Sequence, residues 1–185
     1  TGKLKKYDCS QGTMAGTAVT VRVIHGDNLA VLRAFQYCRP GDVMVIDGGG
    51  DTEQAIRGGI MSLYAAKIGL AGLVIDGAVR DVGTLATLAL GVKALAPCPV
   101  KTAKRGQGEL DAVVSFAGVT IHPGDYVYAD LTPRKIRCVL LAVNGDLLAV
   151  DHDVVLAGLD GVRTCIVALR GIVLQKVGKH LGGGE

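Results

Sequence analysis

The chain has no tryptophan, two phenylalanines and five tyrosines among its 185 residues. At that frequency aromatic rings cannot fill a core, which must instead be built from Val, Leu, Ile and Ala, the usual filling of sheets buried on both faces. The same scarcity removes the stacking platforms that hold single-stranded nucleic acid. The basic cluster Lys101, Lys104 and Arg105 has no aromatic interleaved with it, and reads as a solvated loop. No apolar run reaches the roughly 18 residues of a membrane span, so neither nucleic acid nor membrane is expected as a partner. Paired cysteine motifs are missing too. Cys9, Cys38, Cys98, Cys138 and Cys165 stand far apart, without the C-x-x-C spacing of zinc sites. Apolar neighbours, as in Arg137-Cys138-Val139-Leu140, mark reduced core thiols. No charged-then-apolar leader opens the chain, and a cytoplasmic setting is expected. Charge is nearly balanced, at +3.

What is abundant is glycine, 27 residues of it, within a composition that is 49% hydrophobic. There is no internal repeat and no low-complexity linker, so one domain over residues 1–185 is the simplest organisation. A chain of this length buries roughly 70% of its unfolded surface. Ala18–Ile24 alternates as a strand. Asp27-Asn28 offers a helix N-cap before Leu29, Leu32 and Phe35. Pro40-Gly41-Asp42 turns into the apolar strand Val43–Ile46. Asp51, with Gln54 in capping-box position, predicts a helix that Gly58-Gly59 interrupts and Ile60–Ile68 resumes. Ala71–Ile75 reads as a buried strand, Asp81–Leu90 as a helix and Val92–Leu95 as a further strand. This β-α-β-α-β rhythm predicts an α/β fold with a parallel or mixed sheet and helical crossovers. Beyond Pro97 the pattern changes to short strands with tight turns: Val113–Phe116, Val119–His122, Tyr126–Ala129, Val139–Val143, Leu147–Val150, Val154–Ala157 and Cys165–Leu174. A flexible end is expected at Gly182–Gly184.

Chemistry is concentrated between Gly48 and Asp81. Strand Val43–Ile46 and Asp47 break into Gly48-Gly49-Gly50, and Leu73–Asp76 breaks at Gly77 to deliver Arg80 and Asp81. Ligands of open α/β sheets collect beyond the carboxyl ends of the strands. A fixed cation beside a carboxylate suits an anionic, metal-chelating substrate.

Those segments, Gly41–Gly50 and Gly72–Asp81, resemble a family that joins the class II 4-hydroxy-4-methyl-2-oxoglutarate aldolases to the RraA-like regulators of ribonuclease activity. So do Gly16–Val21, Gly26-Asp27-Asn28, Gly91–Ala94 and Val119–Asp130. The resemblance runs from about residue 15 to 130 and implies a swivelling β/β/α domain. It also implies a homotrimer or hexamer with sites at subunit boundaries. It implies that Asp81 is the metal ligand and that Arg80 contacts a 2-oxo acid as a catalytic and binding residue. Backbone amides of Gly58, Gly59, Ile60 and Met61 would cradle the substrate carboxylate. The implied activity is cleavage of a 4-hydroxy-2-oxo acid to pyruvate, with oxaloacetate decarboxylation through the same enolate. The chain departs from the aldolase pattern in two places. Gly59 stands where an Asp or Glu is usual, twenty-one positions before Arg80, and no acidic residue after Leu131 matches one lent by a neighbouring subunit.

The residues also carry plainer readings. Asp81 at a helix start can be an N-cap, and Arg80 a surface ion pair with Asp76 or Asp81. Gly58-Gly59 can be a helix break, or an anion site made by the amides of Gly59–Met61. One carboxylate with waters suits Mg²⁺ or Mn²⁺ and not structural Zn²⁺. Gly48-Gly49-Gly50 reads as a tight turn, since no Walker or complete Rossmann pattern follows. The absence of a downstream acidic ribose partner also argues against a methyltransferase. His25, His122, His152 and His180 read as isolated, and nothing marks Lys67 as a Schiff-base lysine. The alternative from another class is a non-catalytic protein that binds a ribonuclease or helicase. Arg80-Asp81 argues against it and Gly59 for it.

Overall fold

A computed structural model describes residues 14–106, 108–116, 119–129, 140–143, 146–149 and 166–169. The elements run β1 (Met14–Val23), α1 (Leu29–Ala34), β2 (Val43–Arg57), α2 (Gly59–Lys67), β3 (Gly72–Val79), α3 (Val82–Leu85) and β4 (Gly91–Pro97). The short strands β5 (Gly108–Leu110), β6 (Val114–Phe116), β7 (Val119–Ile121) and β8 (Tyr126–Ala129) follow. Last come β9 (Leu140–Val143), β10 (Asp146–Ala149) and β11 (Ile166–Leu169). Cys9, Cys138, Cys165, His152, His180, Val154–Ala157 and Gly182–Gly184 lie outside the described residues.

The main sheet is mixed, in the order β11-β8-β1-β2-β3-β4, with β5 added to β1. β1, β2, β3 and β4 are parallel, joined by helical crossovers, while β8 and β5 pair antiparallel to the two halves of β1. The strand period of two divides the apolar residues between two layers. Met44, Ile46, Leu73 and Ile75 point into the layer shared with Val31, Phe35 and Ala65 of the helical side. Val43, Val45 and Val74 point the other way, against Val114, Phe116, Ile121 and Val127 of the β layer. Both faces are therefore buried, and the strands read as unbroken apolar runs.

Three expectations are corrected. No helix follows Asp51. The chain continues as β2 to Arg57, through left-handed Gly49 and Gly50 (φ 65° and 75°) and register irregularities against β3, and Asp51 Oδ1 accepts the N–H of Glu53 at 2.8 Å in a local turn. The apparent capping box is that turn, because Asx side chains bond nearby amides whether or not a helix follows. Second, the helix predicted over Asp81–Leu90 is a single short turn, Val82–Leu85. Third, Lys101–Asp111 is not all loop, because β5 pairs with Val21–Val23.

Candidate active site

The parallel strands β1 to β4 end on one edge of the sheet, and the predicted site residues assemble there. β3 ends at Val79, and the backbone N–H of Arg80 donates to the carbonyl of Arg57 at the end of β2 at 2.9 Å. This bond sets the Arg80-Asp81 corner directly against the entry to α2. Gly58 is the extended N-cap of that helix. A side chain there would displace the Arg80 and Asp81 side chains, since a Cβ on Gly58 would stand 2.6 Å from Arg80 Nε and 2.8 Å from Asp81 Oδ2. Glycine permits the close approach of the two segments.

Asp81 occupies the N-cap position of α3 with a left-handed backbone, φ 59° and ψ 40°, which Asp tolerates better than most residues. Its carboxylate makes no capping bond to α3. It caps the other helix. Oδ2 accepts the N–H of Gly59, the first residue of α2, at 2.8 Å. Arg80 Nε lies 3.8 Å from the same oxygen, and both side chains are half-exposed, so this contact holds little energy by itself. Oδ1 of Asp81 accepts no hydrogen bond among the described residues. The next two amides of α2, those of Ile60 and Met61, have no intrahelical acceptor, as in any first helical turn. The corner thus offers two amides at a helix N-terminus, a guanidinium and a carboxylate oxygen. The Gly59 amide, assigned to the substrate carboxylate by sequence, is already engaged.

Among the described residues no three His, Cys, Asp or Glu side chains cluster to hold a metal ion. A divalent cation at Asp81 would have one protein carboxylate and complete its shell with water and substrate oxygens. That donor set fits Mg²⁺ or Mn²⁺, which keep several waters.

Other site expectations fare differently. Gly48-Gly49-Gly50 does not end its strand but lies within β2, just after the point where Asp47 and Asp76 stand side by side. Burial, and then the Asp47 charge, raise the Asp76 carboxyl above the usual range, while the Gly50 amide opposes the shift. His25 is not isolated: its Nδ1 is 3.0 Å from the buried Oδ2 of Asp51. His122 closes its Pro-Gly-Asp turn by donating its backbone N–H to Asp125 Oδ2 at 2.8 Å.

Sequence reasoning missed two residues. Asn28 donates from Nδ2 to the carbonyl of Ile56 at 2.8 Å, pinning the end of β2. Arg57 lies wholly inside the protein and donates from Nη2 to the carbonyl of Met61 at 2.5 Å. A charged residue closing an apolar strand, just before Gly58-Gly59, was the signal that could have found it.

Residues 1–132 match the RraA-like family, described as Aldolase/RraA. A protein of Pseudomonas fluorescens, provisionally named 4-hydroxy-4-methyl-2-oxoglutarate aldolase, is 49% identical over 118 residues, 64% of this chain and 72% of its own. One of the same provisional name from Pseudomonas putida KT2440 is 48% identical over 130 residues, 68% of this chain and 79% of its own. Among solved structures, one titled S-adenosylmethionine:2-dimethylmenaquinone methyltransferase, from Geobacillus kaustophilus, superposes with a TM-score of 0.64 at 36% identity, covering 71% of this chain and 82% of its own. The RNA-processing inhibitor RraA of Thermus thermophilus superposes with a TM-score of 0.63 at 36% identity, covering 66% and 75%.

Proposed function

Because the chain belongs to the RraA-like family, we propose that it is a divalent-metal-dependent lyase. Its substrates would be 4-hydroxy-2-oxo acids of the 4-hydroxy-4-methyl-2-oxoglutarate type, cleaved to pyruvate, with oxaloacetate decarboxylated at the same site. The observation that carries this reading is the 2.8 Å bond between Gly59 N and Asp81 Oδ2, which brings an anion-binding helix start, a cation and a carboxylate into one corner.

The roles follow from the chemistry. The amides of Ile60 and Met61, with the positive end of α2, would bind the substrate C1 carboxylate. Gly58 and Gly59 keep that approach clear of side chains. A cation held by Asp81 would polarise the C2 carbonyl. Arg80 would donate its guanidinium N–H groups to the C2 oxygen as charge develops there. In the aldol cleavage the C4 hydroxyl loses its proton and the C3–C4 bond breaks. The electron pair enters the C2–C3 enolate, which takes a proton at C3 to become pyruvate. In oxaloacetate the bond to the C4 carboxylate breaks instead, carbon dioxide leaves, and no hydroxyl proton has to be removed. Since Gly59 brings no side chain to hold a base, decarboxylation should be the faster reaction.

The outer face of α2 favours assembly into a closed trimer or hexamer: Ile60 is 86% exposed, Leu63 56% and Tyr64 50%, at helical i, i+3 and i+4 spacing. Free thiols at Cys38 and Cys98 suit a reducing, cytoplasmic setting. No helix among the described residues is long and apolar enough to cross a membrane. A second reading, a regulator that binds an RNA-processing enzyme, is favoured by Gly59 and by the 36% identity to the Thermus inhibitor.

Asp81→Asn separates the two. The amide keeps the Gly59 bond and the left-handed backbone while removing the charge. Metal-stimulated pyruvate release, followed by a coupled assay, should fall at least a hundredfold in a folded protein. Equal activity in both proteins would sink the assignment of Asp81.

A further inference from the structure

Arg57 is the least explained residue of the fold. It is 1% exposed, and no carboxylate lies within ion-pair distance of it among the described residues. Its guanidinium sits over the Phe35 ring, 5.0 Å from the centroid, with Nη1 3.8 Å from the thioether of Met44. Nη2 donates to Met61, and Nε has no hydrogen-bond partner among the described residues. The nearby Cys38 thiol does not neutralise it. Burial, with Asp42 adding to the effect, pushes Cys38 up to about 11, so it stays protonated at neutral pH. Burial also pushes the Arg57 guanidinium down to about 9, which still leaves it charged at neutral pH.

A buried charge without a counter-ion burdens the fold. Apolar replacements at such positions are often neutral or stabilising. The carbonyl of Met61 does not need Arg57, because it lies inside α2 where the residue four positions on supplies an amide. The position of Arg57 points to a different purpose. Its backbone carbonyl holds the N–H of Arg80, its side chain holds the first turn of α2, and Gly58 and Gly59 follow it directly.

We propose that Arg57 is a positioning residue for anion binding: a buried, uncompensated positive charge that fixes the first turn of α2 against Arg80 and makes that corner attractive to the carboxylate of a 2-oxo acid. The inference rests on the proposed function for the identity of the anion. It assigns Arg57 no contact with substrate.

The test reads stability and binding together in Arg57→Met, a replacement of similar length without the charge. Binding of pyruvate, and of oxalate as an enolate mimic, is measured by calorimetry with Mg²⁺ present, and unfolding by thermal denaturation. The expected result is a midpoint equal to or above that of the wild type, with affinity for both anions about tenfold weaker. Steady-state oxaloacetate decarboxylation should show the same change in KM and little change in kcat. Arg57→Lys should recover affinity increasingly as pH falls, because burial lowers a lysine at this position and its ammonium is charged only once it takes up its proton. A merely structural arginine predicts the opposite pattern. Unchanged binding in folded Arg57→Met, beside a wild type that binds, overturns the inference alone. If Arg57→Met does not fold, the inference falls on equal binding by wild type and folded Arg57→Gln. A wild type that binds neither anion overturns the functional reading and the inference with it.

Discussion

Replacing Gly59 with aspartate tests whether the chain's departure from the aldolase pattern limits its chemistry. Gly59 is the first residue of α2 and does not have the positive φ that would forbid a side chain. A Cβ there would meet Thr84 Cγ2 at 3.2 Å and Asp81 Cβ and Oδ2 at 3.4 Å, so the methylene fits after a small movement of Thr84. Leaving glycine should gain a few tenths of a kcal/mol of helix propensity. A carboxylate in the first turn adds about 0.3–1 kcal/mol from the helix dipole. Against this stands repulsion from Asp81. Two charges about 5 Å apart in a surface environment repel by roughly 1–3 kcal/mol. The half-exposed Asp81 places the effect toward the lower figure. The metal-free variant should therefore fold, with stability within about 2 kcal/mol of wild type. A divalent cation turns the repulsion into chelation. At a concentration one hundred times its dissociation constant, the cation would stabilise the folded state by about 2.7 kcal/mol. The assay combines circular dichroism, Mn²⁺ titration followed by the thermal midpoint, and pyruvate release from 4-hydroxy-4-methyl-2-oxoglutarate. Tighter Mn²⁺ binding and at least a tenfold gain in aldol cleavage are expected. A folded Gly59→Asp with neither gain would refute the reasoning, and beside a wild type inert towards both substrates it would favour the binding-protein reading.

Three further outcomes are expected. Gly58→Ala puts a methyl group 2.6 Å from Arg80 Nε and must push that side chain aside; KM for oxaloacetate should rise about tenfold with the protein still folded, and an unchanged KM would show that Arg80 is not held there for substrate. Leu63→Glu lies on the exposed face of α2 and should shift the stability of a monomer by less than about 0.5 kcal/mol; sedimentation should show dissociation of the trimer or hexamer, and an unaltered assembly would exclude this face as its interface. Asp76 concerns pH. Its carboxyl is raised in the folded state, chiefly by burial, so folded protein binds the proton more tightly than unfolded chain. Stability is therefore lost as pH rises from the ordinary carboxylate range through the raised value, and the loss persists above it. Asp76→Asn should unfold at a higher temperature than wild type at pH 7, with the advantage vanishing in acid below both values; an advantage that grows toward acid pH would contradict the burial argument.

Local sequence determined the parallel strands. Val43–Ile46 and Leu73–Ile75 are apolar at every position because both faces are covered, and short apolar runs rich in β-branched residues and bounded by turn residues read as buried strands. α1 was legible from the apolar spacing of Leu29, Leu32 and Phe35, and the tight-turn strands β6, β7 and β8 from their glycine and proline breaks, whereas α2 was expected only as the resumption of a helix from Asp51 that the chain does not form. The paired Arg80-Asp81 was visible because charge interrupts an apolar pattern where a strand ends, whereas Gly58-Gly59 read as the interruption of a helix and is the passage from β2 into α2. Where the sequence misled, side chains that bond amides locally were to blame. Asp51 bonds the amides after it in a turn as readily as in a helix cap, and Asp81 stands at one helix start while capping another. That second choice depends on bringing residues 59 and 81 together, which no local pattern encodes. The same holds for Arg57, whose burial follows from the meeting of β2, Phe35 and the first turn of α2. Periodicity along a chain specifies which face is apolar; only the packed sheet decides which distant amide, ring or carboxylate a polar side chain will meet.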